Sequence, residues 1–165
     1  MNRHAIVSTR IGDLTLVASD NALAGVYFPH HWVKPAPETV GEQIDAETAG
    51  GVLAEAARQL DEYLAGRRTS FDLPTVLRGD AFQRRVWSAL DEIPYGATTT
   101  YGEIAARLGD TAQAVGKAVG QNPLCIVVPC HRVVGKNGSL TGYAGGLKRK
   151  QFLLDLEEPV TARLF

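Results

Sequence analysis

Apolar and polar side chains alternate along the first third of the chain, in short runs separated by residues that favour turns. An alternation with a period of two is typical of strands that bury one face. We therefore expect strands at residues 4–8, 14–18 and 23–28, with turns at residues 12–13 and 20–21. Short strands joined by such tight turns predict a small antiparallel meander.

The pattern changes after the third strand. Residues 29–50 are rich in Pro, Glu, Thr and Gly, and we expect a loose surface connection there. Apolar residues then recur at helical spacing, which predicts a helix that ends near Gly66. Its apolar face consists of Val52, Leu53, Ala56, Leu60, Tyr63 and Leu64. No catalytic motif occurs in these elements, so residues 1–78 are predicted to form a structural N-terminal α/β domain.

Helical spacing dominates the second half of the chain. Asp80 can cap a helix whose apolar face runs from Phe82 to Ile93, and Pro94 then ends it. We predict a mainly helical C-terminal domain over residues 79–165. The chain as a whole should therefore have an α+β fold, with the antiparallel meander and one helix first and the helical part second.

Two further helices are predicted side by side within this C-terminal part. Thr100 and Glu103 have the spacing of a capping box, and the helix that they start should end at Gly109. The next helix should begin after Thr111 and continue to about Gln121. Two short helices joined by a glycine-containing turn form the pattern of a helix-turn-helix, although most helix pairs bind no DNA.

The second of these helices is unusually poor in bulky side chains, because every second position is small: Ala112, Ala114, Gly116, Ala118 and Gly120. A glycine inside a helix costs about 1 kcal/mol relative to alanine, so the sequence must gain something from the small residues. Another surface must approach this backbone closely. Tight packing on a neighbouring helix and insertion into a narrow groove of DNA are both open explanations.

Composition is typical of a globular protein, with 165 residues, a hydrophobic fraction of 45% and a net charge of -1. No apolar run approaches the roughly 18 residues of a membrane span. The N-terminus also lacks the apolar segment of a signal peptide. We therefore expect a cytoplasmic protein without a membrane partner.

Charge is distributed unevenly along the chain. Residues 1–80 hold seven Lys and Arg against eleven Asp and Glu, whereas residues 81–155 hold nine against five, so the two parts carry about -4 and +4. The basic part could face the phosphates of a nucleic acid. Differences of this size also arise by chance in ordinary domains, so charge alone does not decide.

The two cysteines, Cys125 and Cys130, lie in an apolar stretch over residues 124–130 that we interpret as a strand. Five extended residues would separate their Cα atoms by roughly 16 Å, which is far beyond the roughly 7 Å that a disulfide allows. Free thiols in a reducing compartment fit better. Cys125 is expected to be a buried, unreactive strand residue.

Cys130 is followed directly by His131 and Arg132. A cysteine attacks as the thiolate, and with an ordinary pKa of about 8.5 it needs a base or a positive field nearby. Neighbouring residues need not have side chains in contact, so an isolated Cys-His pair is usually a coincidence. His4, His30 and His31 have no cysteines near them, and we expect surface or core histidines there rather than metal ligands.

The region around Cys130 closely resembles the O6-alkylguanine-DNA alkyltransferases, also called methylated-DNA-protein-cysteine methyltransferases. The resemblance is carried by Asn122-Pro123, by Pro129-Cys130-His131-Arg132-Val133 and by Gly142-Tyr143-Ala144-Gly145-Gly146. It extends from Phe82 to Glu157, and its Pro-Cys-His-Arg-Val core is highly specific. It implies a ribonuclease H-like N-terminal domain and a winged-helix-like C-terminal domain with the helix-turn-helix.

The family resemblance implies an activity. The protein would repair duplex DNA by a direct, stoichiometric and irreversible transfer of an alkyl group from O6-alkylguanine, and from O4-alkylthymine, to Cys130. Family members bind the minor groove and flip the damaged base out of the stack, because its alkyl carbon cannot be reached inside the duplex. Each molecule would act once, without metal or organic cofactor. A monomer in solution is expected, and cooperative binding of several copies to DNA is left open.

The resemblance also implies roles for individual residues. Cys130 would be the nucleophile, His131 would take its proton through a water, Glu157 would hold the imidazole, and Asn122 would order the active-site turn. The base would be bound through the Tyr101 hydroxyl, the Ala144 N–H and the carbonyls of Cys130 and Val133, while Tyr143 would form the pocket wall. DNA contacts would come from Gln83, Gly102, Asp110, Ala112, Gln113, Ala114, Gly116, Lys117 and Lys136.

One position departs from the family pattern. Family members usually carry an arginine where this chain has Gln113, and that arginine replaces the flipped base in the stack. Glutamine can fill part of the gap and hydrogen-bond the orphaned cytosine, but it brings no charge, and Lys117 one turn later could supply phosphate attraction. We hypothesise that base flipping is retained but less strongly supported.

Three other interpretations deserve comparison. A non-catalytic sensor of alkylated DNA on the same scaffold would lack the acceptor cysteine that this chain has. A helix-turn-helix regulator would need neither the Cys-His-Glu-Asn set nor a glycine-rich pocket loop. A cysteine hydrolase would need an oxyanion hole, for which the sequence shows no recognisable motif.

Overall fold

A four-stranded sheet forms the N-terminal half in the computed structural model, which describes residues 1–29 and 37–158. Strands β1 (Asn2–Thr9), β2 (Gly12–Ser19) and β3 (Ala22–Tyr27) run antiparallel as predicted, and the short β4 (Glu42–Gln43) pairs in parallel with β1. The strand order is β3-β2-β1-β4. The inward-facing side chains of β2 are almost fully buried, which accounts for the alternation of apolar and polar residues in its sequence.

The first turn of the sheet lies two residues earlier than predicted. Thr9 pairs with Gly12, so Arg10 and Ile11 form the turn, and the predicted turn at residues 12–13 is wrong. The Thr9 hydroxyl donates to the carbonyl of Gly12 at 2.6 Å and accepts from the N–H of Ile11 at 3.2 Å, which closes the turn locally. The predicted turn at residues 20–21 is confirmed.

The connection after the sheet is more structured than its composition suggested. Its described part contains α1 (Pro37–Val40), β4 and α2 (Ala46–Ala49), and the Asp45 side chain caps α2 by accepting from the N–H of Glu47 at 3.2 Å. The prediction of a loose connection is therefore wrong for this part, because single helical turns are too short to show a period. His30 and His31 lie outside the described residues.

Helix α3 (Gly51–Leu64) packs its apolar face on the sheet, as its spacing predicted. The core of the protein continues from there without a break into the C-terminal half, which contains α4 (Ala81–Asp91), α5 (Tyr101–Leu108), α6 (Ala112–Gly120) and α7 (Leu147–Glu157). Two short strands, β5 (Thr99–Thr100) and β6 (Val133–Val134), pair in parallel beside these helices.

Side-chain caps set the starts of the helices in the C-terminal half. Asp80 forms a reciprocal capping box with Gln83 at α4, and the hydroxyls of Thr100 and Thr111 accept from backbone N–H groups at the starts of α5 and α6. Gly109 ends α5 with a φ of 69°, a left-handed conformation that favours glycine. These caps confirm the predicted helix-turn-helix of α5 and α6.

The stretch over residues 124–130 is not the strand that its apolar run predicted. The chain reverses within it, since the N–H of Val127 donates to the carbonyl of Cys125 and the N–H of Val128 donates to that of Leu124, both at 2.8 Å. Ile126 has a φ of 73°, which is rare for a β-branched residue. A 3₁₀ turn at Cys130–Arg132 follows directly. The apolar character of the stretch reflects burial rather than extension.

The N-terminal sheet supports this reversed segment from behind. The N–H of Val26 in β3 donates to the carbonyl of Pro123 at 2.8 Å, and the ring of Phe28 packs edge to face on Tyr143 with 5.5 Å between the centroids. The Arg149 guanidinium in α7 donates to the carbonyl of Ile11 at 2.6 Å.

Within the described residues, no helix is long and apolar enough to cross a membrane.

Candidate active site

A cavity of about 370 Å³ opens between α6, the reversed segment and the loop before α7. The side chain of Cys130 lies in its wall and is only 5% exposed. Tyr101, Tyr143 and Ala144, three of the residues predicted to bind the base, also line this cavity. The tertiary fold therefore brings together residues that lie up to about forty positions apart in the chain.

Asn122 braces the turn that presents Cys130. Its side-chain amide donates to the carbonyl of Val128 at 2.9 Å, and its amide oxygen accepts from the N–H of Leu124 at 3.0 Å. The residue is 2% exposed, so both bonds are shielded from water. These two bonds hold the ends of the chain reversal and offset the backbone strain at Ile126. The role of Asn122 in the reaction stays a prediction, and these two bonds are the contacts through which it would order the turn.

The Cys130 thiol ionises more easily than an ordinary thiol. A hydrogen bond from the Cys125 side chain lowers its pKa most, and hydrogen bonding by Asn122 and the charge of Lys150 act in the same direction. Burial alone would raise this pKa, but the three other effects outweigh it. A cavity thiol with a lowered pKa is suited to nucleophilic attack.

Lys150 supplies a positive charge beneath the cavity. The residue is 1% exposed, and its ammonium group donates to the carbonyls of Val133 at 2.7 Å and Thr141 at 3.2 Å. Burial lowers the pKa of Lys150, while the proximity of Cys130 raises it. The sequence offered no sign of this role, because Lys148, Arg149 and Lys150 look like a solvated basic run.

His131 is fully buried and is held by the carboxylate of Glu157. Its Nε2 lies 2.8 Å from Oε2 of Glu157, while its Nδ1 finds no hydrogen-bond partner within the described residues. Burial lowers the pKa of His131 despite the opposing effect of Glu157, so the imidazole is neutral near neutral pH. A neutral imidazole that donates from Nε2 keeps a lone pair on Nδ1, as a proton acceptor requires.

Glu157 is the centre of a buried network that connects both halves of the protein. Arg132 donates to its two oxygens from Nε at 2.7 Å and from a terminal nitrogen at 2.9 Å, and the Tyr63 hydroxyl donates to Oε2. Burial alone would raise the pKa of Glu157, but hydrogen bonds from His131, Arg132 and Tyr63 lower it to about 2. The carboxylate is therefore ionised throughout the physiological range.

Tyr63 and Arg132 were not predicted as site residues. Tyr63 was counted only as part of the apolar face of α3, yet its hydroxyl reaches Glu157 and lies 3.4 Å from Nε2 of His131. The terminal nitrogen of Arg132 that does not bind Glu157 donates to the carbonyl of Ile93 at 2.7 Å. A tyrosine at a buried helical position is usually a core residue, so only the contact across the two halves identifies it.

Removal of the Tyr63 hydroxyl should loosen this network. The hydroxyl gives its proton to Glu157, so its oxygen lone pairs face Nε2 of His131 and favour the tautomer that is protonated there. For Tyr63→Phe we expect a loss of about 1.5–3 kcal/mol of unfolding free energy, together with a several-fold slower reaction of Cys130. Urea denaturation and the rate of alkyl uptake would measure both, and an unchanged rate would contradict this positioning role.

Val133 is placed differently from the other predicted base-binding residues. It is fully buried in β6 and does not line the cavity, and its carbonyl accepts from Lys150. The carbonyl of Cys130 accepts from the N–H of Val133. Each carbonyl keeps a second lone pair that could accept from the base, and both predicted contacts stay predictions.

The two tyrosines at the cavity differ in their hydrogen bonding. The hydroxyl of Tyr143 is buried without a partner among the described residues, whereas that of Tyr101 lies 2.9 Å from the Thr141 hydroxyl.

Helix α6 uses its small residues on two sides. One side packs on α4, where the indole N–H of Trp87 donates to the carbonyl of Ala118 at 2.8 Å. The other side, with Ala112, Gln113 and Gly116, forms part of the cavity wall, and Ala112 and Gln113 are exposed. A Cβ at Gly116 would lie 3.7 Å from the Tyr101 ring. Tight packing therefore explains part of the small-residue pattern and leaves an open face beside the cavity.

The other predicted DNA contacts differ in their exposure. Gly102, Asp110, Lys117 and Lys136 are exposed, and Ala114 is half-buried on α6. Gln83 uses its side chain within the protein, accepting from the N–H of Asp80 and donating to Gln121 at 2.8 Å. Asp110 accepts from the N–H of Thr111 at 2.7 Å, which places its carboxylate at the start of α6.

Within the described residues, no group of three or more His, Cys, Asp or Glu side chains could hold a metal ion.

Two protein-family models match the chain. Residues 2–77 match the ribonuclease-like domain of 6-O-methylguanine DNA methyltransferase, and residues 81–159 match the DNA binding domain of the same enzyme. Together these matches cover nearly the whole sequence.

Similar proteins with assigned names belong to the same enzyme family. The methylated-DNA–protein-cysteine methyltransferase of Mycolicibacterium paratuberculosis is 46% identical over 170 residues, which cover 100% of this chain and 99% of the relative. The constitutive enzyme of Bacillus subtilis with that name is 43% identical, with 95% and 96% coverage. Among solved structures, Mycobacterium tuberculosis OGT in complex with DNA matches with a TM-score of 0.83, 40% identity and 99% coverage of both chains.

Proposed function

The chain belongs to the 6-O-methylguanine DNA methyltransferase family, and on this premise we propose that Cys130 is the acceptor that takes an alkyl group from the O6 atom of guanine in duplex DNA. The protein is a DNA-repair enzyme that transfers a methyl group from DNA to a cysteine. The observation that carries the proposal is the placement of the Cys130 thiol, with its lowered pKa, in a cavity beside the exposed face of α6.

The reaction is an in-line displacement at the alkyl carbon. The Cys130 thiolate forms the new carbon–sulfur bond as the bond between that carbon and O6 breaks, and the electron pair of the broken bond stays on the guanine. Donors must stabilise this charge until the base takes up a proton. The Tyr101 hydroxyl and the N–H of Ala144 lie at the cavity and can serve there, since both residues line it.

His131 takes the proton that Cys130 loses. The carboxylate of Glu157 at Nε2 fixes the tautomer that leaves Nδ1 as the base, and it stabilises the imidazolium that forms. We propose that a water carries the proton from the thiol to Nδ1. Asn122 keeps the thiol at a fixed position relative to this base through its two bonds to the turn.

The exposed face of α6 is the proposed contact with DNA. Its small residues let the helix approach the floor of the minor groove, and the cavity beside it can accept a base that has rotated out of the stack. Backbone contacts are proposed for Gly102, Asp110, Lys117 and Lys136, which are all exposed. Asp110 would contact a phosphate through its N–H, because its carboxylate would repel one.

The product of this reaction is a thioether, which has no good leaving group. Each molecule is therefore consumed by one alkyl group, and the transfer is stoichiometric and irreversible. One chain carries the acceptor, the proton relay and the groove-binding helix, so we propose that a monomer suffices. We further propose that residues 79–165 bind DNA and perform the chemistry, while residues 1–78 support them through Tyr63 and β3.

Intact-protein mass measurement tests the proposal. We expect incubation with an oligonucleotide that contains O6-methylguanine to add a single methyl group to the protein. Trypsin releases Cys125 and Cys130 on one peptide, because no Lys or Arg lies between Lys117 and Arg132, so fragmentation must assign the site. An unmodified mass after prolonged exposure would overturn the proposed function.

Gln113→Arg should accelerate repair of duplex substrate. Gln113 is exposed on α6 beside the cavity, where an arginine could enter the stack and add a positive charge near the phosphates. We expect roughly a tenfold faster transfer from duplex DNA and no change with free O6-alkylguanine base, which needs no flipping. Single-turnover kinetics with both substrates would measure this.

A matched variant separates local from general charge effects. Gln43→Arg adds the same charge on exposed β4 of the N-terminal sheet, which does not line the cavity, and it should not accelerate duplex repair beyond a small salt-dependent gain. Equal rates for Gln113→Arg and the unmodified protein on duplex DNA would show that Gln113 does not limit base flipping.

A further inference from the structure

Two thiols line the same cavity, although only one of them is the proposed alkyl acceptor. Cys125 and Cys130 both line the wall, and they are 1% and 5% exposed. Both are free thiols in the structure. The chain reversal at residues 124–128 replaces the extended strand that would have held them at its two ends.

Each of the two thiols shifts the pKa of the other. Hydrogen bonding between them raises the pKa of Cys125 well above its ordinary value, with burial acting in the same direction, and lowers that of Cys130. Cys125 Sγ also lies 3.8 Å from the carbonyl oxygen of Asn122, whose side chain braces the turn that presents Cys130. Of the pair, Cys130 therefore ionises more readily, while Cys125 stays protonated.

This arrangement has a chemical consequence besides alkyl transfer. Oxidation by peroxide follows thiolate character and access, and a thiol next to the oxidised sulfur can trap the first oxidation product as a disulfide. Hydrogen peroxide is far smaller than the alkylated base for which the cavity is proposed, so the cavity gives it access to Cys130. An extended strand would hold the two cysteines too far apart for a disulfide, but residues 124–128 reverse direction and form no such strand.

We infer that Cys125 is a resolving cysteine, which closes a reversible disulfide with Cys130 after a peroxide has oxidised the acceptor thiol. The inference rests on the proposed role of Cys130 as the acceptor. It concerns a modification of the cavity that is separate from alkylation. The disulfide would block alkyl acceptance while it exists and would preserve the acceptor from irreversible oxidation.

The oxidation balances in two steps. The Cys130 thiolate attacks hydrogen peroxide, so a sulfur–oxygen bond forms, the oxygen–oxygen bond breaks and hydroxide leaves, which yields a sulfenic acid. The Cys125 sulfur then attacks the Cys130 sulfur, the sulfur–oxygen bond breaks, and the hydroxyl leaves as water with the Cys125 proton. Two thiols lose two electrons in total, and one peroxide is reduced to two waters. A dithiol reductant reverses the modification by exchange.

Cys125 decides which oxidation product accumulates. Without a resolving thiol, further peroxide converts the sulfenic acid of Cys130 to a sulfinic acid, which thiol reductants do not reverse. An acceptor that is normally used once would then be lost without any repair. With Cys125 present, the same exposure ends in a disulfide from which the acceptor can be recovered.

The experiment compares the protein with Cys125→Ser and Cys125→Ala. Each is treated with hydrogen peroxide, which catalase then removes, and its intact mass is measured without reductant. Half of each sample is treated with dithiothreitol, and methyl uptake from an O6-methylguanine oligonucleotide is then measured. We expect the native chain to lose two hydrogens and to recover most of its methyl uptake after reduction. Both variants should gain two oxygens and recover less than about a tenth of theirs.

The two readouts separate failure of this inference from failure of the proposed function. The mass change requires no DNA, so a disulfide can form even if methyl uptake never occurs. An untreated native chain that takes up no methyl group overturns the proposed function alone. A native chain that gains oxygens without losing two hydrogens overturns the resolving role, as does equal recovery in the variants. The mass change is measured on the native chain alone, so the test stays decisive even if a variant folds poorly.

Discussion

Cys130→Ala will abolish alkyl uptake, with a rate lower by at least about 1000-fold. Other nucleophilic side chains at the cavity cannot replace it. In the native chain the hydrogen bond with Cys130 and burial raise the pKa of Cys125 well above its ordinary value, and burial remains when Cys130 is replaced. Burial likewise raises the pKa values of Tyr101 and Tyr143, so both phenols stay protonated near neutral pH. A protonated thiol or phenol is a poor nucleophile.

The measurement for Cys130→Ala is intact mass after incubation with an O6-methylguanine oligonucleotide. Cys130→Ser is a closer control for shape, and it should also fail, because a serine hydroxyl ionises far less readily than a thiol. Both variants should still bind the oligonucleotide, since the exposed face of α6 is unchanged. A methyl adduct on Cys125 in either variant would contradict the assignment of Cys130 as the acceptor.

Glu157→Gln will destabilise the protein by about 3–5 kcal/mol at neutral pH. The substitution leaves the Arg132 guanidinium, which is 8% exposed, without its bidentate partner. An uncompensated charge at such a buried position is costly because neither water nor another anion replaces the carboxylate. The loss is a large share of the roughly 5–15 kcal/mol that stabilise a typical domain. Urea denaturation measures it directly.

The effect of Glu157→Gln should depend on pH in a defined direction. The pKa of Glu157 is held at about 2 in the folded protein, against a usual 4.5. This difference contributes on the order of 3 kcal/mol to the free energy of unfolding at neutral pH. Because the folded-state pKa is the lower one, this stabilisation is complete above about pH 4.5 and is lost as the pH falls to about 2. The stability difference between native protein and variant should therefore narrow in acid.

Alkyl transfer should also slow in Glu157→Gln, by roughly 100-fold or more, because the imidazole of His131 loses the anion that fixes its tautomer and stabilises its charged form. Glu158→Gln is the matched control, since Glu158 is the next residue and is exposed. It should change neither the free energy of unfolding nor the activation free energy of transfer by more than about 0.5 kcal/mol. A Glu157→Gln protein with native stability and rate would show that the buried network is dispensable.

The network around Glu157 links the N-terminal half to the candidate active site. The sequence predicts a structural domain there, and that role stays a prediction. Tyr63 from α3 reaches Glu157 and His131, while β3 is bonded to the segment that carries Asn122 through Val26 and Pro123. We therefore expect substitutions at such contacts in the N-terminal half to slow the reaction without touching DNA.

Local patterns were sufficient wherever a structure depends on neighbouring residues. The alternation in β1 to β3 and the apolar face of α3 gave these elements to within a few residues, because burial of one face imposes a period on the sequence. The caps at Asp80, Thr100 and Thr111 set the starts of α4, α5 and α6, because a cap acts within three residues of itself.

The same approach failed where long-range contacts decide the conformation. Residues 124–130 look like a strand because they are apolar, and they are apolar because they are buried. Their reversal depends on Asn122, which braces the turn, and on β3, which lies about a hundred residues earlier in the chain. Short elements such as α1, α2 and β4 were missed because a single turn contains no period.

The sequence by itself therefore determined the fold class, the helix-turn-helix and, through the Pro-Cys-His-Arg-Val motif, the family and the expected acceptor. Tertiary structure decided the surroundings of that acceptor: Lys150 beneath it, Cys125 against it, and Tyr63 with Arg132 on the carboxylate behind His131. The physical reason is that a motif specifies which groups are present. Their pKa values depend on burial and on charges that only folding brings within a few ångströms.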